Sequence, residues 1–348
     1  MNITQKKGSV HKPTMNEVAK KSGVALSTVS HVINGTAPIS DETKARVQKV
    51  IEELNYTPNA LARGLRHSRT NTIGIIVPDL TNEFYAKYAA CLIKLAGEDE
   101  VSASLIDFGY KKEREERGVD TLIRSRVDGV IFLGGSQDEN LIERLDKANI
   151  ITVFADRYYK DYPSVSFDNY ETMYQLIRCL WENGYTKIGY ISEAMTMVNL
   201  IDRYRGIMDA LNNYNMELQK DWTLEDSWLR MEKLHTAKDM VNRLIGRISR
   251  DSMPEVLIAS SDMIAIGILD ALLQHGYKVP EDIGVVGYDD MTMAAYYNPS
   301  VTTVHQDYAA AARETYRLLC DKLAGREENE HVVIHNELII RKSLVLKK

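Results

Sequence analysis

The segment from Thr14 to Asn34, TMNEVAKKSGVALSTVSHVIN, constrains this chain more than any other, because its polar and apolar positions allow two short helices joined by one tight turn. Thr14 and Glu17 have the T-x-x-E spacing in which a hydroxyl and a carboxylate cap each other's backbone amides. A helix is therefore expected from Met15, burying Val18 and Ala19 with Lys20 and Lys21 outside. Gly23 permits a sharp turn. A second helix from near Leu26 carries Val29, Val32 and Ile33 at three- and four-residue spacing, which turns Ser27, Thr28, Ser30, His31 and Asn34 outward. The pattern predicts a helix-turn-helix whose open face suits base edges and phosphates. An ordinary helix pair at the edge of an enzyme is the competing reading.

Charge is distributed unevenly along the chain. The 348 residues carry a net charge of -6, but residues 1–69 hold 11 Lys and Arg against 5 Asp and Glu, and the remainder holds 32 against 44. The head is thus +6 and the body -12, which suits a small polyanion-binding module on a body that DNA would repel. With 44% hydrophobic and 26% charged residues, the chain reads as globular and long enough for two or three domains. Cys91, Cys179 and Cys320 are far apart and in no ligand spacing, so neither a disulfide framework nor a zinc site is expected. No apolar run follows Lys6, Lys7 and Lys12 and none reaches the length of a membrane span, so a cytoplasmic location is expected.

Residues 1–11 read as a loose tail, and 12–57 as the helix-turn-helix domain, closed by a third helix with Ser40 as its cap and Val47, Val50, Ile51 and Leu54 on its buried face. Residues 58–70 read as a hinge helix and linker, with Pro58 at the first helical position and Arg63, Arg66 and Arg69 interleaved with Leu61 and Leu65. So short a helix is marginal, and Gly64 costs about 1 kcal/mol more relative to alanine, so it is expected to form only with support. From Thr72 the texture alternates: TIGIIV, a helix through Lys94, SASLID, a charged helix, GVIFL, a helix, ITVFA. A second set follows with a helix around Met173 to Glu182, KIGYI, RYRGIMDAL, EVLIA, a helix from Asp262 to Gln274, and DIGVVGYDD. Such alternation means parallel sheets with crossover helices, here two doubly wound lobes in series.

The usual nucleotide-binding and hydrolytic signatures, G-x-G-x-x-G after a strand, G-x-x-x-x-G-K-[ST], G-x-S-x-G and H-E-x-x-H, do not occur, so an enzyme has little support and no cofactor is expected. His331 and His335 bracket an apolar VVI strand without a supporting carboxylate or cysteine pattern, and read as surface residues.

The N-terminal stretch resembles the headpiece of the lactose-repressor (LacI/GalR) family of bacterial regulators, and TVSHVIN is similar to its purine-repressor branch. The resemblance continues in order through IIVPDLTNEFY, RVDGVIFL, FADR, VSFDN, RYRG, SSDMIAIG, VPEDIGVVGYDD and NPSVTTVHQ. It implies an all-α helix-turn-helix headpiece plus hinge, joined to an α/β core of two doubly wound parallel-sheet lobes like those of periplasmic binding proteins. The core would span 71–348, with one lobe of about 71–168 plus 300–330 and the other of about 169–299 plus 331–345. The chain would cross between them near Asp168, near Ser300 and toward Val333. By resemblance Thr14, Leu26, Ser27, Thr28, Ser30, His31, Asn34, Arg63 and Leu65 would contact DNA, Leu65 as a minor-groove wedge. Ala25 stands where the family usually has a capping serine. Effector-binding positions fall on Asn82, Tyr85, Asp156, Arg157, Arg203, Ser261, Asp289 and Gln306, with Trp228 as a further stacking residue. Arg203 offers a planar fork, the aspartates accept from hydroxyls, and the aromatic rings can stack on a sugar face. Ser261 departs from the family's usual asparagine. The sequence ends soon after Arg341-Lys342-Ser343 without a heptad tail, implying a homodimer rather than a tetramer.

The expected function is that of a ligand-responsive repressor, binding double-stranded pseudo-palindromic operator DNA and a small effector of carbohydrate or related type, with no membrane partner and any co-regulator protein undefined. A cytoplasmic sugar-binding protein or enzyme with a basic interaction module is the alternative, and a nucleoid-type DNA binder without a ligand the third.

Overall fold

The computed structural model describes residues 13–56, 69–134, 138–226, 229 and 232–346. It divides into two compact units, Met1–Thr70 and Asn71–Lys348.

The first unit holds three helices, α1 (Met15–Ser22), α2 (Leu26–Asn34) and α3 (Asp41–Leu54). The capping box is present: the Glu17 carboxylate accepts from the Thr14 amide at 2.7 Å, and the Glu17 amide donates to the Thr14 hydroxyl at 3.3 Å. Gly23, at φ 69°, makes the left-handed turn into α2. Ala25 caps α2 without a side-chain bond, as its methyl group requires. Ser40 caps α3 through the Thr43 amide. Val18, Ala19, Val29, Val47, Val50 and Tyr56 form the buried core.

The second unit has two lobes. In the first, β1 (Thr72–Val77), β2 (Ser102–Asp107), β3 (Gly129–Leu133), β4 (Ile151–Ala155) and β5 (Ser164–Phe167) join a late strand in a six-stranded parallel sheet of order 331–334, β5, β4, β3, β1, β2. Helices α4 (Glu83–Glu98), α5 (Lys112–Ser125) and α6 (Glu139–Lys147) connect the early strands. Strand faces alternate: Ile73, Ile75, Val77, Ile131 and Leu133 pack toward α4, while Ile76, Val130 and Phe132 pack toward α5 and α6. Burial on both faces is what makes these strands continuously apolar. Gly74 gives room to Leu122, which would lie 2.5 Å from an added Cβ.

The second lobe is a four-stranded parallel sheet, β7-β6-β8-β9. It comprises β6 (Lys187–Glu193), β7 (Glu217–Asp226), β8 (Val256–Ala259) and β9 (Gly284–Val286), with α7 (Asn169–Glu182), α8 (Val198–Asn213), α9 (Lys233–Ile245), α10 (Asp262–Gln274) and the short α11 (Thr292–Tyr296). Ile188, Tyr190, Val256 and Ile258 face a cluster with α7 and α8; Ile191, Leu257, Ala259 and Val285 face α9 and α10. At Gly206 of α8 a Cβ would meet the Tyr170 carbonyl at 2.2 Å, so glycine sets the α7–α8 spacing.

Three passages of chain join the lobes. The first runs from β5 into α7 at Asp168. The second leads from β9 to β10 (Thr303–His305), which pairs antiparallel with β12 (Glu337–Ile339). After β10, α12 (Tyr308–Leu323) packs on the first lobe, and β11 (His331–Ile334) pairs parallel with β5 there. The strand at 331–334 thus belongs to the first lobe, not to the second as the sequence suggested, because its apolar residues complete that sheet's edge. The third passage follows it at 335–336 and is anchored to the first: Asp168 accepts from the Asn336 amide at 2.9 Å and faces His335 Nδ1 at 2.8 Å.

Candidate functional sites

On the headpiece, the leading edge of α2 presents Leu26, 45% exposed, and Ser27, also exposed. Thr28 and His31 are half-buried beside them, His31 Nδ1 lies 2.8 Å from the Thr36 hydroxyl, and Asn34 is exposed. Ser30 corrects the sequence reading. It is 6% exposed and its carbonyl accepts from Asn34 Nδ2 at 2.8 Å, so it stands on the inward side of the helix. Thr14 is exposed but its hydroxyl serves the capping box, and Lys21 pairs with Glu53 at 2.8 Å. Lys20 is exposed. Arg63 and Leu65 lie outside the described residues.

In the core, the carboxyl ends of the parallel strands meet between the lobes, where open α/β sheets bind ligands. Four residues with side chains there hold positive φ: Tyr110 at 54°, Asp156 at 62°, Asp289 at 107° and Asp290 at 52°. Such conformations cost free energy outside glycine and collect at functional sites. One small cavity, with free space of about 30 Å³, is lined by Asn82, Tyr85, Asp156, Arg203, Ser261, Asp289 and Gln306, all expected from the sequence. Arg157 lies in an adjoining chamber, its guanidinium over the Phe154 and Tyr159 rings. Trp228 lies outside the described residues.

The cavity also brings in Tyr110, Glu193, Asn199, Lys233 and Ser260, which sequence reasoning missed. Glu193 ends β6, so the rule that selects strand ends would have found it; Lys233 and Asn199, on helix starts, carry no such signal. Lys233 pairs with Glu193 at 2.6 Å in a nearly dry setting.

Arg203 is buried with its plane pinned: Nε donates to Asn169 Oδ1 and Nη1 to the Ser260 carbonyl, both at 2.9 Å, and Tyr288 lies 3.4 Å beneath. The same Asn169 oxygen accepts from the Tyr288 hydroxyl. The guanidinium's end-on edge is therefore presented as a rigid unit. Asp156 accepts from the Tyr85 hydroxyl at 3.4 Å and from Asn199 Nδ2 at 3.2 Å, the latter across the lobes. Burial pushes its carboxyl up to about 7, opposed by Arg203 and reinforced by Asp289. Burial likewise raises Asp289 to about 6 against the pull of Arg203 and Lys233. Asp156 Oδ1 and both amide atoms of Gln306, itself 1% exposed, are buried without a hydrogen-bond partner. Unsatisfied buried groups cost roughly 1–3 kcal/mol each, so three such atoms at one spot point to a ligand that completes them.

Outside this cleft, His331 lies against Ser164 and Ser166, and His335 against Asp168. Among the described residues no cluster of three His, Cys, Asp or Glu could hold a metal, and no helix is long and apolar enough to cross a membrane.

Known proteins match this chain over most of its length. Residues 14–59 match the family described as bacterial regulatory proteins, lacI family, and 177–344 match the periplasmic binding protein-like domain. An HTH-type transcriptional repressor PurR of Mannheimia succiniciproducens is 31% identical over 335 residues, covering 95% of this chain and 98% of the relative. The protein of the same name from Vibrio vulnificus is 30% identical, covering 94% and 97%. Among solved structures, a transcriptional regulator CelR–cellobiose complex aligns with TM-score 0.70 at 29% identity over 95% of this chain and all of that one. A lac repressor dimer bound to operator and the anti-inducer ONPF aligns with TM-score 0.80 at 23% identity over 96% and 100%, and shares the fold. The chain belongs to the lacI family of bacterial regulatory proteins, and is a ligand-responsive, DNA-binding regulator of transcription.

Proposed function

We propose that this regulator is a cytoplasmic homodimeric repressor that binds a pseudo-palindromic operator and is switched by a carbohydrate or closely related polyol held in the interlobe cleft. On the headpiece, Leu26, Ser27, Thr28, His31 and Asn34 would meet the major groove, Lys20 and Arg63 phosphates, and Leu65 the minor groove from the hinge. Thr14 would contact the backbone from the start of α1. In the core, Asn82, Tyr85, Asp156, Arg157, Arg203, Ser261, Asp289 and Gln306 would hold the effector, with Trp228 as a further stacking residue.

The observation that supports the effector reading is that Asp156 Oδ1 and the Gln306 amide, buried and unpartnered, belong to residues lining one cavity together with Arg203. Carboxylate acceptors, an amide and a guanidinium edge in one cavity match vicinal hydroxyls, which donate and accept at once. A purine, as the names of the PurR relatives suggest, would ask instead for a flat apolar slot; the buried rings at this cavity, Phe84 and Tyr85, pack edge-on against each other, and Phe84 also against Tyr88 and Phe167. The cavity's free space is far below the volume of a sugar ring, and Thr292 of the second lobe is tied to Glu83 and Lys87 of the first. The lobes must part to admit a ligand and re-close on it. That motion, transmitted through the three passages, would alter how the headpieces engage DNA.

Thermal shift against a panel of sugars and purine bases tests the reading. A sugar should raise Tm in a concentration-dependent manner, and Gln306→Ala should abolish the rise. A purine base alone raising Tm would replace the carbohydrate with a purine effector.

A further inference from the structure

The cavity around Arg203 is not isolated. It shares Tyr110, Asp156, Met197 and Asn199 with the lining of a chamber of about 680 Å³, and Asn82, Lys233, Ser261 and Asp289 with that of one of about 500 Å³. The polar pinch therefore lies between two larger chambers that share its walls. The two chambers differ in chemistry. The smaller chamber is lined by Leu234, Met263 and Met291 beside its charged residues. The larger has an aromatic pair, Phe108 and Tyr110, edge-to-face at 6.2 Å, with hydrogen-bonding side chains from Asn140, Arg157 and Asn199 around it. An aromatic face next to planar polar groups is the lining a second sugar ring needs, apolar C–H face on one side and hydroxyls on the other.

The charges around these cavities are also matched. Lys233 pairs with Glu193 at 2.6 Å and Lys112 with Asp138 at 2.8 Å, Arg203 lies in the field of Asp156 and Asp289, and Arg157 in that of Glu115 and Asp156. A phosphate would enter a site whose cations are already balanced by carboxylates, and would have to be desolvated without a new partner.

On the reading of the cleft as a carbohydrate site, we propose that the effector is a neutral saccharide of at least two units, one ring at the pinch against Arg203, Asp289 and Gln306, the next in the 680 Å³ chamber beside Tyr110 and Asn140. A bare monosaccharide fills half the site, and a sugar phosphate is excluded by charge.

Titration calorimetry on the full chain tests this with glucose, galactose, cellobiose, maltose, lactose, trehalose and the 6-phosphates of the binding sugars, with hypoxanthine and guanine as controls. At least one neutral disaccharide should bind about 10-fold or more tighter than either of its monosaccharides, a difference of about 1.4 kcal/mol. Its 6-phosphate should bind more weakly. Asn140→Trp, which fills the chamber from an exposed helix position, should bring disaccharide affinity down to the monosaccharide level and leave monosaccharide affinity unchanged; Asn140→Ala should give a smaller loss in the same direction. A monosaccharide that binds as tightly as its disaccharide, a phosphate that binds more tightly, or an Asn140→Trp protein that keeps its disaccharide affinity would overturn the two-unit inference while leaving the carbohydrate reading intact. Binding of a purine base with no response to any sugar would overturn both.

Discussion

Two aspartates show how a single residue's setting becomes a measurable property of the chain. Asp156 and Asp289 stand at strand ends where neighbouring groups displace water, and their carboxyls are raised to about 7 and about 6. Because the unfolded values are lower, the folded chain retains protons that the unfolded chain has released between about pH 4 and pH 7. Their contribution to stability is therefore greatest at the acid end of that window and is lost as pH rises through 6 and 7. Thermal unfolding should show Tm falling from pH 5.5 to pH 8, with a shallower slope in Asp156→Asn. A sugar hydroxyl donating to either carboxyl favours the ionised form, so effector binding should release protons and tighten as pH rises. Calorimetry in two buffers of different ionisation heat reads this directly; proton uptake on binding would contradict it. At the DNA face, His31→Ala should relax base preference at one position of the half-site by roughly 1–3 kcal/mol, whereas Lys20→Ala should weaken all sequences alike and flatten the salt dependence. Binding-site selection distinguishes the two patterns.

At the scale of elements, close packing makes its own prediction. Gly206 lets α8 approach the backbone of α7, and Gly206→Ala should cost roughly 1–3 kcal/mol in denaturant unfolding because the Tyr170 carbonyl leaves no room. Elements whose apolar pattern was decisive were legible from sequence: α1 with its Thr14–Glu17 box, α3 after Ser40, the strands 72–77, 102–107, 129–133 and 151–155, and α10 from Asp262 to Gln274. The long edge strand β7 was not, because among ELQKDWTLED only Trp222 is fully buried, so charge hid the pattern. Strand 331–334 was visible as a strand but not as the first lobe's edge, since pairing with β5 depends on a sequence separation of over 160 residues that no local pattern encodes. Ser30 was misplaced because the inward arc of α2 is wider than a strict three-and-four spacing implies. In the cleft, residues at strand ends could be read from position, while Lys233 and Asn199 arrive from helices and are seen only in three dimensions.

For the whole molecule, the +6 head and -12 body divide labour: one part is drawn to a polyanion, the other binds a small ligand without competing for it. Effector binding in the core cleft and operator binding by the head are expected to be coupled, and coupling is reciprocal by thermodynamic necessity. The most direct measurement is operator affinity with and without a saturating effector, for the wild-type chain and for Asp289→Asn and Gln306→Ala. The effector should shift wild-type operator affinity by roughly 5- to 150-fold, and both variants should bind operator like wild type in its absence but lose the shift. A full effector-induced shift retained by both variants at the same effector concentration would contradict this, and would place the controlling site outside the cleft.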